Sequence, residues 1–189
     1  MIKRFSIWIY RVSTGRVALF GFVLFLLFSL LVLPGQTAGA NVYSEGVGSP
    51  DLSFFYTAQN LYDMAEAYGE AGRQSYIQAR FTFDLIWPIV YALFITTSIS
   101  WLFIRGISPY SWFRITNIVP ILGMVFDYLE NISTSIVMVR YPNQTAGLDS
   151  LASIFTLLKW VFIAGSLVLL VSGAVLAIAR WVNRRGGSS

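Results

Sequence analysis

Cysteine and histidine are both absent from this 189-residue chain. Without cysteine there is no disulfide, no thiolate nucleophile and no thiolate metal ligand. Without histidine there is no Ser-His-Asp catalysis, no imidazole proton shuttle and none of the commonest zinc ligands. Any chemistry must therefore use carboxylates, amines, guanidinium groups, phenols and hydroxyls, and the sequence predicts neither a metal site nor a bound cofactor.

Charged residues are also scarce, at 12% of the chain, whereas 56% of the residues are hydrophobic. Soluble globular domains carry roughly twice that share of charge. The composition therefore predicts an all-α integral membrane protein. A chain of this length is expected to form a single membrane domain that covers residues 1–189, and not several domains.

Four runs with few or no charges approach the roughly 20 residues that a helix needs to cross a bilayer. They predict a four-transmembrane-helix bundle with spans at about 17–33, 81–103, 115–139 and 151–179. Pro34 and Gly35 close the first run and are expected to stop its helix. A cleaved signal peptide is the alternative for this stretch, because Ala38-Gly39-Ala40 has the small-x-small pattern of a cleavage site.

Lys and Arg are unevenly distributed between the loops, and this bias predicts which helix ends face the cytoplasm. Nine flank the spans on one side: Lys3, Arg4, Arg11, Arg16, Arg105, Arg114, Arg180, Arg184 and Arg185. The acids outside the spans belong to the opposite side: Glu45, Asp51, Asp63, Glu66, Glu70 and Asp149. Both termini are therefore expected in the cytoplasm, with residues of about 34–80 and 140–150 extracytoplasmic. The basic side suits anionic headgroups, so the expected partners include membrane lipids and exclude nucleic acid.

The external segment starts with a stretch rich in Gly, Ala, Ser and Thr over residues 34–48, which predicts a loop. An extracytoplasmic amphipathic helix is expected next, at about 50–68, with Ser49 as its cap and Pro50 at its first position. Apolar residues recur there at spacings of three and four, and the acids occupy the other face. We expect this helix to lie on the outer membrane surface or across the mouth of the bundle, either as a packing element or as a mobile lid.

Ionisable side chains within the spans need an explanation, because they are costly at membrane depth unless they are paired or hydrated. Helical spacing places five residues of the second span on one stripe: Arg73, Arg80, Asp84, Trp87 and Tyr91. The third span presents Asp127, Glu130, Asn131 and Thr134 on one face, and the fourth contributes Lys159. A rise of about 1.5 Å per residue puts the charged groups in the outer half of the bilayer or at its midplane.

These side chains predict a polar pocket among the second, third and fourth spans, open to the outside. Its candidate ligand-binding residues are Arg80, Asp84, Trp87, Tyr91, Asp127, Glu130, Asn131 and Lys159. Three acids facing two cations make a nearly balanced set, as a low-dielectric interior requires. The leading hypothesis is that the protein binds a lipid or another amphipathic small molecule. Asp84 and Glu130 would hold a cationic or hydroxylated group, while Arg80 and Lys159 would balance them or hold an anionic headgroup.

Three other interpretations stay open. The charges can simply lock the helices together, in a structural or assembly subunit that uses the external helix as its partner surface. A carboxylate-dependent membrane enzyme would use Glu130 or Asp127 as a general acid or base on a lipid-borne substrate. Carboxylate-dependent binding of a proton or cation is the third. A channel is disfavoured, because the inner half of the spans offers no ring of charge.

Overall fold

The computed structural model of this chain is all-helical and describes residues 1–44 and 46–186. Within these residues the α-helices are α1 (Ile2–Val12), α2 (Gly15–Leu27), α3 (Leu33–Ser44), α4 (Ala58–Ala67), α5 (Gly69–Arg80), α6 (Phe83–Gly106), α7 (Val119–Arg140) and α8 (Leu148–Gly186). A π-helical turn at Phe28–Val32 joins α2 to α3. Two 3₁₀ helices lie at Pro50–Leu52 and Trp112–Ile118.

Four of the described helical segments are long and apolar enough to cross a membrane, which indicates a multi-pass membrane protein. They are Gly15–Ser44, Gly69–Gly106, Trp112–Arg140 and Leu148–Asn183. The predicted all-α class and the number of membrane-length helices are thus confirmed. The helices extend beyond the predicted runs because low charge marks the apolar part of a helix and not the residues at which its hydrogen bonding ends.

The first segment does not end at Pro34, so the predicted helix stop and the predicted loop after it are wrong. In the π-helical turn before the proline, the N–H of Leu33 donates to the carbonyl of Phe28. Pro34 then lies in the first turn of α3, where a missing N–H donor is tolerated. The helix continues to Ser44, whose hydroxyl donates to the carbonyl of Ala40 at 2.9 Å.

The amphipathic helix also differs from the prediction, because it begins at Ala58 and not at Pro50. Ser49 makes no capping bond, and the 3₁₀ helix after it is only three residues long. Thr57 and Asn60 instead form a capping box, in which each side chain accepts a hydrogen bond from the other residue's backbone N–H. This reciprocal pair satisfies two N–H groups that the helix leaves open, and so it fixes the start of α4.

The two faces of α4 are those that the residue spacing predicts. Leu61 and Ala65 are fully buried, whereas Asp63 and Glu66 are exposed. Tyr62 contributes a polar anchor, since its phenol donates to the Asp149 carboxylate at 3.1 Å and accepts from the Thr145 N–H at 2.7 Å. The helix is therefore fixed by packing along one face and by hydrogen bonds at its side.

The chain divides into two compact units of opposite charge. The unit that we call the acidic unit comprises residues 27–89 and 123–161. It contains all nine Asp and Glu of the sequence and four Lys and Arg, a formal charge of −5. The basic unit comprises residues 1–26 and 90–122 and the chain from Phe162 onward, with nine Lys and Arg and no acid, a formal charge of +9.

In the basic unit, α1 is an amphipathic helix that the sequence analysis did not predict. Its buried residues are Ser6 and Ile9, on the side that faces the Trp112–Ile118 segment. The fully buried Asn117 accepts a hydrogen bond from the Ser6 hydroxyl at 2.7 Å and donates to the Ser6 carbonyl and to the Ser100 hydroxyl. Polar bonds to one buried amide therefore hold α1 in place.

The acidic unit has its own apolar core, built mainly from aromatic and aliphatic side chains of α4, α5, α7 and α8. Its buried members are Tyr56, Leu61, Met64, Ala65, Tyr68, Tyr76, Val137, Met138 and Ala152. Gly72 of α5 allows close packing beside this core. A Cβ atom at Gly72 would lie 2.8 Å from the Cβ of Tyr43 and 3.0 Å from that of Tyr68. The core positions the polar side chains described next.

Candidate functional site

Arg80 is the centre of the first group of charges in the acidic unit. It ends α5, and Asp84 lies in the first turn of α6 after a break at Phe81 and Thr82, so the predicted stripe does not run along a continuous helix. The predicted pair still forms, with 3.0 Å between Arg80 Nη1 and Asp84 Oδ2. Arg80 Nη1 also forms an ion pair with Asp51. The guanidinium is therefore held between two carboxylates.

Glu130 and Lys159 form the most buried of the described ion pairs. Lys159 Nζ lies 2.5 Å from Glu130 Oε2, and the two side chains are 6% and 0% exposed. The ammonium also donates to the backbone carbonyl of Asp51 at 3.5 Å. Asp51 thus contacts both cations of the cluster, through its carboxylate and through its carbonyl.

Tyr76 links the two ion-paired groups by hydrogen bonds. Its fully buried phenol donates to Thr134 Oγ1 at 3.1 Å and lies 3.4 Å from the Asp51 carboxylate. Thr134 in turn donates to the carbonyl of Glu130 at 2.9 Å. The Arg80 guanidinium carbon lies 4.6 Å from the centre of the Tyr76 ring, within the range of a cation–π contact. The charges consequently belong to one connected polar cluster.

Residues 49–57, which we call the strap, run from the turn that contains Gly46 and Gly48 to Thr57, the cap of α4. The indole N–H of Trp160 donates to the Ser53 carbonyl at 3.0 Å, and Ser153 donates to the Tyr56 carbonyl. Thr156 donates to the Tyr56 phenol at 3.1 Å. Burial raises the pKa of Tyr56, and the neighbouring Glu130 adds to that rise, so the phenol stays a neutral hydroxyl. The strap is therefore bonded to α8 at several successive positions.

The other predicted site residues have different surroundings. Asn131 donates to Asp127 at 3.4 Å, and both side chains are buried. Trp87 stacks with Phe28 and Phe83 in an aromatic group, with 6.0 Å between the ring centres of each pair. Tyr91 is buried and belongs to the basic unit.

Arg73, the other basic residue of the predicted stripe, contacts α4. It donates to the Ala65 carbonyl at 2.8 Å, and its guanidinium lies over the Tyr141 ring. Of the predicted residues, the structure joins Arg80, Asp84, Glu130 and Lys159 in the connected cluster. Asp127 and Asn131 form a buried pair on the same helix as Glu130.

Sequence reasoning missed three members of the cluster, Asp51, Tyr56 and Tyr76. The two strap residues were assigned to an external amphipathic helix, because the pattern of charges around them is typical of one. Tyr76 was assigned to the external segment, because the second span was started at Phe81. Its spacing was a usable signal, since a tyrosine one helical turn before Arg80 lies on the same stripe.

Asp51 changes the charge balance of the cluster. With it, the carboxyl groups are Asp51, Asp84 and Glu130 in the cluster and the buried Asp127 beside it on α7, and the cations are Arg80 and Lys159; the Asp51 side chain is 17% exposed. Glu130 Oε1 and Asn131 Oδ1 are also buried, and neither has a hydrogen-bond donor among residues 1–44 and 46–186. A buried acceptor without a donor costs about 1–3 kcal/mol. The site therefore has more carboxyl groups than basic groups, and it has unsatisfied acceptor oxygens.

Within the described part of the chain, no three Asp or Glu side chains are grouped so that they could hold a metal ion. Comparison of the chain with protein-family models, with curated proteins and with solved structures finds no match.

Proposed function

We propose that this protein spans the membrane four times and binds a lipid or another amphipathic small molecule through the polar cluster of its acidic unit. The ligand has a cationic or hydroxylated head group. Both termini lie in the cytoplasm, and the strap and α4 lie on the extracytoplasmic side. The orientation is supported by the nine Lys and Arg that flank the spans on one side without any acid, as is usual for cytoplasmic flanks.

The observation that carries the proposed ligand class is the environment of Glu130. One carboxylate oxygen pairs with Lys159, while the other is buried without a donor among the described residues. An ammonium or hydroxyl group would supply that donor and form a charge-assisted hydrogen bond. Because the acids outnumber the cations four to two, a cationic group would also reduce the net charge of a low-dielectric site.

Photolabelling with three matched probes tests this proposal. A clickable, photoactivatable long-chain amine, the corresponding alcohol and the corresponding fatty acid are each added to the full-length protein in phosphatidylcholine vesicles. We expect the amine and the alcohol to label peptides from α7 and α8, and the fatty acid to label them weakly. Loss of one charge-assisted contact in Glu130→Gln should lower amine labelling by at least about tenfold, since such a contact contributes about 1.5–3 kcal/mol.

Asp63→Asn is the matched control, because it also removes one carboxylate but lies on the exposed face of α4. It should label like the unmodified protein, and excess unlabelled amine should compete with the probe. Equal labelling by the amine and the fatty acid, or full labelling of a folded Glu130→Gln protein, would show that the cluster does not bind this class of ligand.

The orientation has a separate test, made simple by the absence of cysteine. Asp63→Cys places one thiol on α4, and Tyr110→Cys places one after α6, where the native side chain is 98% exposed. We expect a membrane-impermeant maleimide to label Asp63→Cys on intact cells and to label Tyr110→Cys only after permeabilisation. The reverse pattern would invert the proposed topology.

A second candidate is a structural subunit in which the cluster only joins the helices. It is favoured by the ion pairs of the cluster, because both cations already have carboxylate partners within the protein. Arg80 pairs with two carboxylates and Lys159 with one. Under this candidate, replacing Glu130 and Lys159 together by methionine leaves the protein as stable as before, since apolar groups of similar volume often replace a buried ion pair without loss. The amine probe would then label neither protein specifically.

A further inference from the structure

A surface groove of about 380 Å³ lies in the basic unit, beside the ends of α6 and α8. Its polar lining comes from Ser108, Ser111 and Arg180, and its apolar lining includes Phe113 and Leu176. The floor is closed by direct contact between the two helices, because a Cβ atom at Gly106 would lie 2.9 Å from the Leu176 Cβ. The groove therefore offers one cation, two hydroxyls and an apolar wall within one packed unit.

The basic unit contains no Asp or Glu side chain that could neutralise its arginines. Arg114 donates to the carbonyls of Phe103 and Ile107, and Arg105 stacks over the Trp101 ring. Arg180 is exposed and makes no ion pair with any described residue. A carboxylate side chain that neutralised Arg180 would have to come from outside the basic unit.

We propose that the groove binds the phosphate of an anionic phospholipid. Arg180 pairs with the phosphate, and the hydroxyls of Ser108 and Ser111 donate to its oxygens. Ser111 Oγ accepts from the Phe113 N–H at 3.3 Å, which leaves its own proton for the ligand. Phe113 and Leu176 then contact the acyl chains.

The charge and the lining together select this ligand over related ones. A zwitterionic lipid carries its own ammonium group, which the surplus of arginines would repel. Free phosphate would use the polar side of the groove and leave the apolar side without a partner. The apolar side continues onto neighbouring exposed residues of α8, with Val175 60% and Leu176 43% exposed. An anionic head group with attached chains matches both sides.

Lipid retention provides the test. The full-length protein is reconstituted in phosphatidylcholine vesicles that contain a minor fraction of phosphatidic acid, an anionic lipid whose head group is the phosphate alone, and the lipids retained after mild extraction are counted by native mass spectrometry. We expect phosphatidic acid to be enriched on the protein, and Arg180→Gln to reduce the enrichment about fivefold, the effect of one basic residue at an anionic surface. Arg185→Gln removes a cation from the same helix outside the groove lining and should keep the enrichment.

Further variants and a competition experiment distinguish a phospholipid from free phosphate and control for misfolding. Arg180→Lys should keep part of the enrichment, and Ser108→Ala with Ser111→Ala should lower it without removing a charge. Inorganic phosphate in excess should not displace the lipid. Equal losses in Arg180→Gln and Arg185→Gln would show a diffuse surface field, and displacement by phosphate would show an ion site; either result overturns the proposal. Glu130→Gln should leave this enrichment unchanged, so the result does not depend on the polar cluster of the acidic unit.

Discussion

Removing Lys159 should destabilise this protein far more than removing its partner Glu130. Lys159 Nζ and Glu130 Oε2 are 2.5 Å apart. At an effective dielectric constant of about 20, two unit charges at that distance attract by about 7 kcal/mol. Desolvation of both ions offsets much of that attraction, and the loss of one partner of a buried pair typically costs about 3–5 kcal/mol.

The asymmetry follows from the excess of acids in the cluster. Lys159→Met leaves a fully buried carboxylate with no cation beside it, among three further carboxylates. We therefore expect a loss in the upper part of the range, about 4–5 kcal/mol. Glu130→Gln instead lowers the negative excess, and Lys159 keeps its contact with the Asp51 carbonyl. The expected loss there is about 1–2 kcal/mol, and the double variant should resemble Glu130→Gln.

A double-mutant cycle measures this difference. The four proteins are unfolded by titration with sodium dodecyl sulfate in mixed micelles at neutral pH, and the fluorescence of the six tryptophans reports the transition. We expect a coupling free energy of about 4–5 kcal/mol between the two positions, because the double variant should lose no more stability than Glu130→Gln. If the two single variants lost the same free energy of unfolding, the inferred excess of negative charge in the cluster would be refuted. Additivity within about 0.5 kcal/mol would refute the pairing itself.

Three further predictions concern the strap, the helix packing and α1. Asp51→Asn should release the strap, and hydrogen exchange of its amides should rise about tenfold, as for a charged contact of about 1.5 kcal/mol, whereas Asp63→Asn should leave it unchanged. Gly72→Ala should cost about 1–3 kcal/mol in unfolding free energy, because its methyl group would overlap two tyrosine side chains. Gly165→Ala, in open space on α8, should instead be neutral or stabilising, since alanine favours helices. Asn117→Leu should speed the hydrogen exchange of amides in α1 without affecting those in α7. An equal increase throughout the chain would contradict the role of Asn117 as the anchor of α1.

Residue spacing and charge were enough to predict the class of fold and half of the cluster. Arg80 and Asp84 are one helical turn apart, so their pairing follows from local geometry and survives the break between α5 and α6. Glu130 and Lys159 are on different helices. Their proximity could still be inferred from the sequence, because a charged side chain inside a span requires a partner. Local periodicity and the cost of isolated charge thus account for these residues.

The strap could not be predicted in the same way. Its bonds to α8 join residues about 100 positions apart, such as Tyr56 and Thr156, and no local pattern encodes such a pairing. The acids around α4 resembled one long solvent-facing surface, and so the role of Asp51 was hidden. The start of α4 was misplaced for a related reason, because Ser49 and Thr57 are both good caps in sequence, and only the side chain of Asn60 distinguishes them.

The inclusion of Asp51 also narrows the chemistry of the proposed ligand. The site predicted from the sequence has three acids and two cations and lacks Asp51. Such a site would accept a cationic or an anionic head group, since an anion could still be placed beside Arg80 or Lys159. The structure gives Arg80 two carboxylates and Lys159 a third, so both cations already have anionic partners. An anionic head group would add a further negative group to a low-dielectric site that already has more carboxyl groups than cations, at a cost that a cationic group does not meet. The binding order of the three probes should consequently be amine, then alcohol, then fatty acid, and a preference for the fatty acid would mean that the buried acids are largely protonated.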